Sequence, residues 1–177
     1  MKLFLGYYKE KIEIAIPDQN LQGILKPQKP DVTLSEQDIL LHALKNPIGA
    51  PPLNDIVKSG EHVVIVTSDI TRPMPTAKVL PYVVETLNQA GISDKNITVV
   101  FGLGVHRRHT NQEHAALVGR ELYERFECVD SDPDDIVHLG ETTRGTPVDL
   151  FRKVVDADRR ICLGNIEYHY FAGFSGG

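Results

Sequence analysis

A chain of 177 residues with 41% hydrophobic and 24% charged residues has the composition of an ordinary globular protein, which excludes collagen-like, fibrous and wholly disordered classes. Its 19 lysines and arginines are scattered among 24 aspartates and glutamates, for a formal charge of -5, so no basic stripe is available to neutralise nucleic-acid phosphates. The length suits one domain with one sizeable core.

At the N-terminus the apolar patch around Leu3 and Leu5 is too short for the core of a signal peptide, and Lys9, Glu10 and Lys11 follow at once. No run approaches the roughly 18 apolar residues of a membrane helix, so a cytoplasmic protein without a membrane partner is expected. The alternation Leu3/Leu5 and Ile12/Ile14/Ile16 predicts a β-hairpin turning around Lys9 and Glu10. Proline-containing loops are predicted over 26–30 and 46–52. Between them, Thr33 to Glu36 has capping-box spacing, and Ile39, Leu40, Ala43 and Leu44 fall at helical intervals.

From Glu61 onward buried runs alternate with helices. Residues 62–66 form a continuous β-branched stretch of the kind covered on both faces of a sheet. Residues 76–90 carry Val79, Leu80, Val83, Val84 and Leu87 on one side, with Gly91 as a stop and Pro81 inside. A second strand is predicted over 97–101, and Thr110 to Glu113 forms a second capping box leading into Ala115, Ala116, Leu117 and Val118. Residues 126–129, 136–139 and 160–164 are strand-like, Gly145 marks a turn, and 148–155 reads as helix or strand. The pattern predicts an α/β fold: a largely parallel, Rossmann-like sheet with flanking helices, preceded by the hairpin. Cys128 and Cys162 sit in strand-like runs and are read as buried free thiols.

In such sheets ligands bind at the carboxyl ends of the strands. The loop after the first buried strand holds Ser68, Asp69, Ile70, Thr71 and Arg72 before a helix begins, which suits an anion, because a guanidinium fork engages two oxygens and a helix N-terminus adds partial positive charge. The same residues also suit a plain turn in which Asp69 and Arg72 pair with each other or cap the helix. The loop after the second strand holds Gly102, Gly104, His106, Arg107, Arg108 and His109; His106 and His109 have the spacing of a weak metal pair or of a solvated basic loop. The segment from Asn165 to Gly177 combines Glu167 and His169 with aromatic residues and glycines, and is predicted to wall a pocket. His42, His62, His114 and His138 lack such company and read as structural or surface residues. Two imidazoles with cationic neighbours point to proton transfer on an anionic substrate.

Three of these segments, Ser68-Asp69-Ile70-Thr71-Arg72-Pro73-Met74-Pro75, Gly104-Val105-His106-Arg107 and 165–177, together resemble the nickel-dependent lactate racemase family, and the resemblance runs through the whole chain in order. It implies racemisation of a small 2-hydroxyacid, lactate or similar, by hydride transfer to a nickel pincer nucleotide, a pyridinium-bisthiocarboxylic acid mononucleotide. It further implies His106 and His169 as the two acid/bases and Asp69, Ile70, Thr71 and Arg72 as the cofactor-binding loop, with no metal ligand from this chain. Imidazole alone is too weak a base for a hydroxyacid C2–H, so an electrophilic cofactor is chemically required. In the family the lysine that tethers the cofactor and the histidine that ligates nickel lie beyond the motif that ends at Gly177. The resemblance therefore implies that residues 1–177 are a single N-terminal catalytic domain or fragment, inactive alone, whose partners are the family's C-terminal domain and cofactor-synthesis proteins. Two other readings remain: a metal-dependent hydrolase built on His106, His109 and His169, and a nucleotide- or anion-binding module without catalysis.

Overall fold

The computed structural model describes residues 1–26, 28, 32–169 and 171–176. The loop predicted over 26–30 lies largely outside them, as do Tyr170 and Gly177. The chain divides into two compact units, Met1–Ser35 and Glu36–Gly177.

In the first unit, β1 (Lys2–Tyr7) and β2 (Glu10–Ala15) pair antiparallel with Tyr7 opposite Glu10. The two turn residues are thus Tyr8 and Lys9, one position earlier than the sequence suggests, and Tyr8 adopts the left-handed region at φ 54°. The Met1 ammonium closes the open end by donating to the Ile16 carbonyl at 2.8 Å and to Asp18 at 2.5 Å.

The second unit begins with α1 (Glu36–Lys45) and α2 (Leu53–Ile56). Next come β3 (Val63–Ser68), α3 (Thr76–Gln89), β4 (Ile97–Gly102), α4 (Asn111–Val118), α5 (Arg120–Arg125) and β5 (Glu127–Asp130). A hairpin of β6 (Ile136–Glu141) and β7 (Pro147–Phe151) leads into α6 (Arg152–Asp156) and β8 (Arg159–Leu163). The ambiguous stretch over 148–155 is therefore both, strand then helix.

Strands β3, β4, β5 and β8 form a four-stranded parallel sheet in the order β5-β4-β3-β8. Alternation along each strand sends Val63, Ile65, Val99 and Phe101 to one face, where they pack with Leu80 and Leu87 of α3, Val118 of α4 and Leu122 of α5. Val64 and Val100 point to the other, against Ala157, Val154 of α6 and Phe151 of β7. Burying each such aliphatic side chain contributes about 1.5–3 kcal/mol, which is why these strands read as unbroken apolar runs. Pro81 stays inside α3 because it lies on the exposed face, where water can serve the Ala77 carbonyl that loses its helical partner. Both predicted groups of the second capping box form: the Thr110 side chain accepts from the Glu113 N–H, and the Glu113 side chain accepts from the Thr110 N–H.

The cysteines correct one expectation. Cys128 on β5 is partly buried, its thiol pushed up to about 11 by burial and by Glu127, but Cys162 on β8 is exposed. Both are free, and they stand on opposite edges of the sheet, about 14 Å apart at ordinary strand spacing. Among the described residues no helix is long and apolar enough to cross a membrane.

Candidate functional site

The strand ends form a level floor. Leu163 pairs with Thr67, Thr67 with Phe101, and Phe101 with Asp130, so the segments after β8, β3, β4 and β5 leave the sheet side by side. Beneath them Thr67 and Thr76 share a buried hydroxyl hydrogen bond at 2.8 Å that seats the start of α3 on β3. The Thr76 hydroxyl is thereby used inside the fold.

Asp69 follows β3 and is 3% exposed. One carboxylate oxygen accepts from the Thr71 N–H at 2.8 Å and the Thr71 hydroxyl at 2.5 Å, and the other meets His106 Nδ1. Burial alone raises the Asp69 carboxyl, but the hydrogen bonds from Thr71 and His106 outweigh it and hold the group below its ordinary value. Asp69 neither pairs with the Arg72 side chain nor caps α3, whose N-cap position is Pro75 with no side-chain hydrogen bond. Ile70, Thr71 and Arg72 are exposed, and the Arg72 guanidinium has no ion-pair or hydrogen-bond partner among the described residues.

His106 reaches Asp69 through a turn in which its N–H donates to the Leu103 carbonyl at 3.0 Å. Gly104 makes that turn with φ 57°, a conformation costly for other residues. The His106 side chain is 40% exposed. With Asp69 ionised, Nδ1 carries the proton and the neutral ring presents an unprotonated Nε2, the arrangement of a general base. The neighbouring cations are spent locally: Arg107 pairs with Glu113 at 2.7 Å and Arg108 with Asp132 at 2.9 Å.

The last segment is a third hairpin, β9 (Ile166–His169) with β10 (Gly173–Gly176). Strand alternation turns Glu167, His169 and Ser175 toward a cleft and leaves Ile166, Tyr168 and Phe174 outside at 77%, 73% and 65% exposure. Among the described residues the aromatic side chains of Tyr168, Phe171 and Phe174 therefore do not line the cleft as expected; the polar ones do. Gly176 is obligatory, since a Cβ there would lie 1.7 Å from the Asn165 carbonyl oxygen. His169 Nδ1 accepts the N–H groups of Phe171 and Ala172, each at 3.2 Å, so a neutral ring keeps its proton on Nε2.

These parts converge on two adjoining clefts. One, of about 250 Å³, is lined by Ser68, Arg72, Asn165, Glu167, His169, Ser175 and Gly176. The other, of about 400 Å³, is lined by Ser68, Asp69, Arg72, Gly102, Leu103, Gly104, Val105 and His106. Ser68 and Arg72 belong to both, which puts an unpaired guanidinium between the clefts of the two histidines.

His109 takes a different place from the one its spacing suggests. Its side chain is 1% exposed, its Nδ1 bonds Asp130 at 2.6 Å and its Nε2 accepts the Ile70 N–H at 3.1 Å. His106 and His109 thus serve different carboxylates, and the His106, His109, His169 metal set of the hydrolase reading is not assembled. Among the described residues the three groups with metal-ligand proximity are His109, His114 and Asp130. The one sequence signal for Asp130 is its position at the carboxyl end of a parallel strand.

Residues 7–177 match the family model of the lactate racemase N-terminal domain. Among curated relatives, lactate racemase of Thermoanaerobacterium thermosaccharolyticum is 36% identical over 98% of this chain and 42% of its own length. Lactate racemase of Lactiplantibacillus plantarum is 33% identical over the same shares, 98% and 42%. The structure of the lactate racemase apoprotein from T. thermosaccharolyticum superposes with a TM-score of 0.85 at 33% identity, covering 99% of this chain and 41% of that one. The chain thus spans 42% of the length of these curated relatives.

Proposed function

The chain belongs to the lactate racemase N-terminal domain family, and on that premise we propose that it carries the acid/base half of a 2-hydroxyacid racemase site. The observation that supports this most directly is the pair of clefts sharing Ser68 and Arg72, with His106 in one and His169 in the other. A racemase needs an acid/base on each side of the substrate, because the proton of either enantiomer's hydroxyl must find its own acceptor.

The two imidazoles suit that division. His106, backed by Asp69, offers a lone pair at Nε2 and takes a hydroxyl proton. His169 is seen as the Nε2–H tautomer, with Nδ1 accepting two backbone N–H groups; once Nδ1 is released and takes up a proton, the resulting imidazolium gives its Nε2 proton to the oxygen on the opposite side and returns to the neutral ring. For the other enantiomer the roles exchange, each ring having first taken up the other's protonation state. Arg72 holds an anion between them, its fork matching a carboxylate or a phosphate.

The nickel pincer nucleotide implied by the family fits the residues present, since an exposed loop of Ile70, Thr71 and the unpaired Arg72 stands beside the start of α3, as a nucleotide phosphate requires. When bound it supplies the electrophilic carbon that accepts the C2 hydride. Asp69 contributes indirectly: its carboxylate is turned inward to Thr71 and His106, where it orients the base. The hydrolase alternative lacks its set of His106, His109 and His169, since His109 is turned to Asp130.

The test is a chimera joining this chain to the remaining length of the T. thermosaccharolyticum relative, supplied with cofactor and assayed for interconversion of D- and L-lactate and other 2-hydroxyacids. Replacing His106 or His169 with Ala should each lower the rate about 10²-fold or more, as for loss of a general acid/base. Single-turnover conversion to the 2-oxo acid should be lost mainly for one enantiomer in each variant. Equal losses for both enantiomers in both variants would overturn the two-base assignment.

A further inference from the structure

The Asp69–His106 pair is built from two loops whose own sequences do not set their relative height; a buried group below them does. Asp130, at the end of β5, accepts the His109 backbone N–H at 2.8 Å on one oxygen. Its other oxygen accepts from His109 Nδ1 at 2.6 Å and His114 Nε2 at 2.9 Å. With Nδ1 protonated, His109 Nε2 is an acceptor, and it takes the N–H of Ile70, the residue after Asp69, at 3.1 Å. The side chains of His109 and Asp130 are 1% and 5% exposed, and the His114 ring stacks on Phe101 with centroids 4.6 Å apart. The polarity runs one way only: reversing the His109 tautomer would set its Nε2–H against the Ile70 N–H and leave Nδ1 facing Asp130 without a proton.

We propose that Asp130 and His109 are positioning residues, which fix the His109 tautomer and, through the Ile70 N–H, hold Asp69 at the height where it meets His106. The proposal rests on the reading of His106 as an acid/base, but its test reads placement rather than turnover. A metal at His109, His114 and Asp130 is the competing account of the same atoms. Hydrogen bonds favour the metal-free account, since they already occupy each ligand atom and, among the described residues, no buried side-chain nitrogen or oxygen lacks a partner.

The experiment is nitrogen NMR of the labelled 177-residue chain, reading imidazole tautomers, the deshielded Nδ1 proton of His106 and amide exchange at Ile70. In the parent chain His109 should be protonated at Nδ1 and bare at Nε2. Asp130→Asn offers an amide N–H where a carboxylate oxygen stood, and His109→Phe keeps a ring against Phe101 but removes both nitrogens. In each, the His106 Nδ1 proton signal should shift or be lost and Ile70 exchange should quicken at least tenfold. A role in stability alone would lower the unfolding temperature yet leave the His106 signal of the folded fraction in place, and that result would overturn the proposal. So would an Nε2-protonated or charged His109 in the parent chain, a measurement that decides the matter even if both variants fail to fold. Stoichiometric zinc uptake that displaces these imidazole protons would overturn it in favour of the metal. Failure of the acid/base reading shows elsewhere, as an undiminished racemisation rate in the His106→Ala chimera.

Discussion

Asp69 and His106 meet carboxylate to Nδ1 across two loops, the aspartate 3% exposed and the imidazole reaching into a cleft. An imidazole held this way has one tautomer and one orientation, and it loses both when the carboxylate is replaced by an amide. In the chimera, Asp69→Asn should therefore reduce kcat about 10²-fold or more while changing KM little, because the substrate's own contacts remain. Steady-state kinetics with each enantiomer checks this; a rise in KM with kcat unchanged would assign Asp69 to binding instead.

Arg72 separates two sources of one anion chemistry. Arg72→Lys keeps the charge and removes the fork, so either role should suffer. If the guanidinium binds the nucleotide phosphate, cofactor retention measured by nickel content falls; if it binds the substrate carboxylate, KM rises with occupancy intact. Should Arg72→Ala leave both unchanged, the loop is a surface turn.

Acid should destabilise the fold through its depressed carboxylates. Glu61 and Glu113 are lowered to about 2 by Arg159 and Arg107, and Asp69 and Asp130 are held low by hydrogen bonds despite their burial. In the unfolded chain these groups bind protons near pH 4, so the stability they contribute is complete above about pH 5 and is lost as the pH falls through the lower folded values. Urea unfolding from pH 6 to pH 2 should show the loss, with a shallower slope in Glu113→Gln.

Gly176→Ala tests whether the last hairpin depends on its close approach. A Cβ 1.7 Å from the Asn165 oxygen, at a φ of 93°, forces β10 away from β9. Chemical shifts of residues 166–169 should change while those of β3 and β4 stay within error. Unaltered shifts in the hairpin would mean that the approach is looser than described.

The elements around the parallel sheet were legible because their signals are local. Runs such as 97–101, the capping box at Thr110 and the glycine stop at Gly91 each express a period or a backbone preference within a few neighbouring residues. The Asn165 to Gly177 segment shows the limit of such signals: its composition suggests a pocket wall, but only pairing of Tyr168 with Phe174 and of His169 with Gly173 decides which side chains face the cleft.

What the sequence by itself determined was therefore the α/β class, the loops at the strand ends and the residue types available there, including Asp69, Arg72, His106 and His169. The tertiary structure decided the partners. That Asp69 takes His106 while Asp130 takes His109 and His114, that Arg72 is left unpaired between two clefts, and that Cys162 is exposed all follow from strand order and register. The physical reason is that hydrogen bonds between residues 37 or 21 positions apart depend on which strands lie side by side, and no spacing along the chain carries that information.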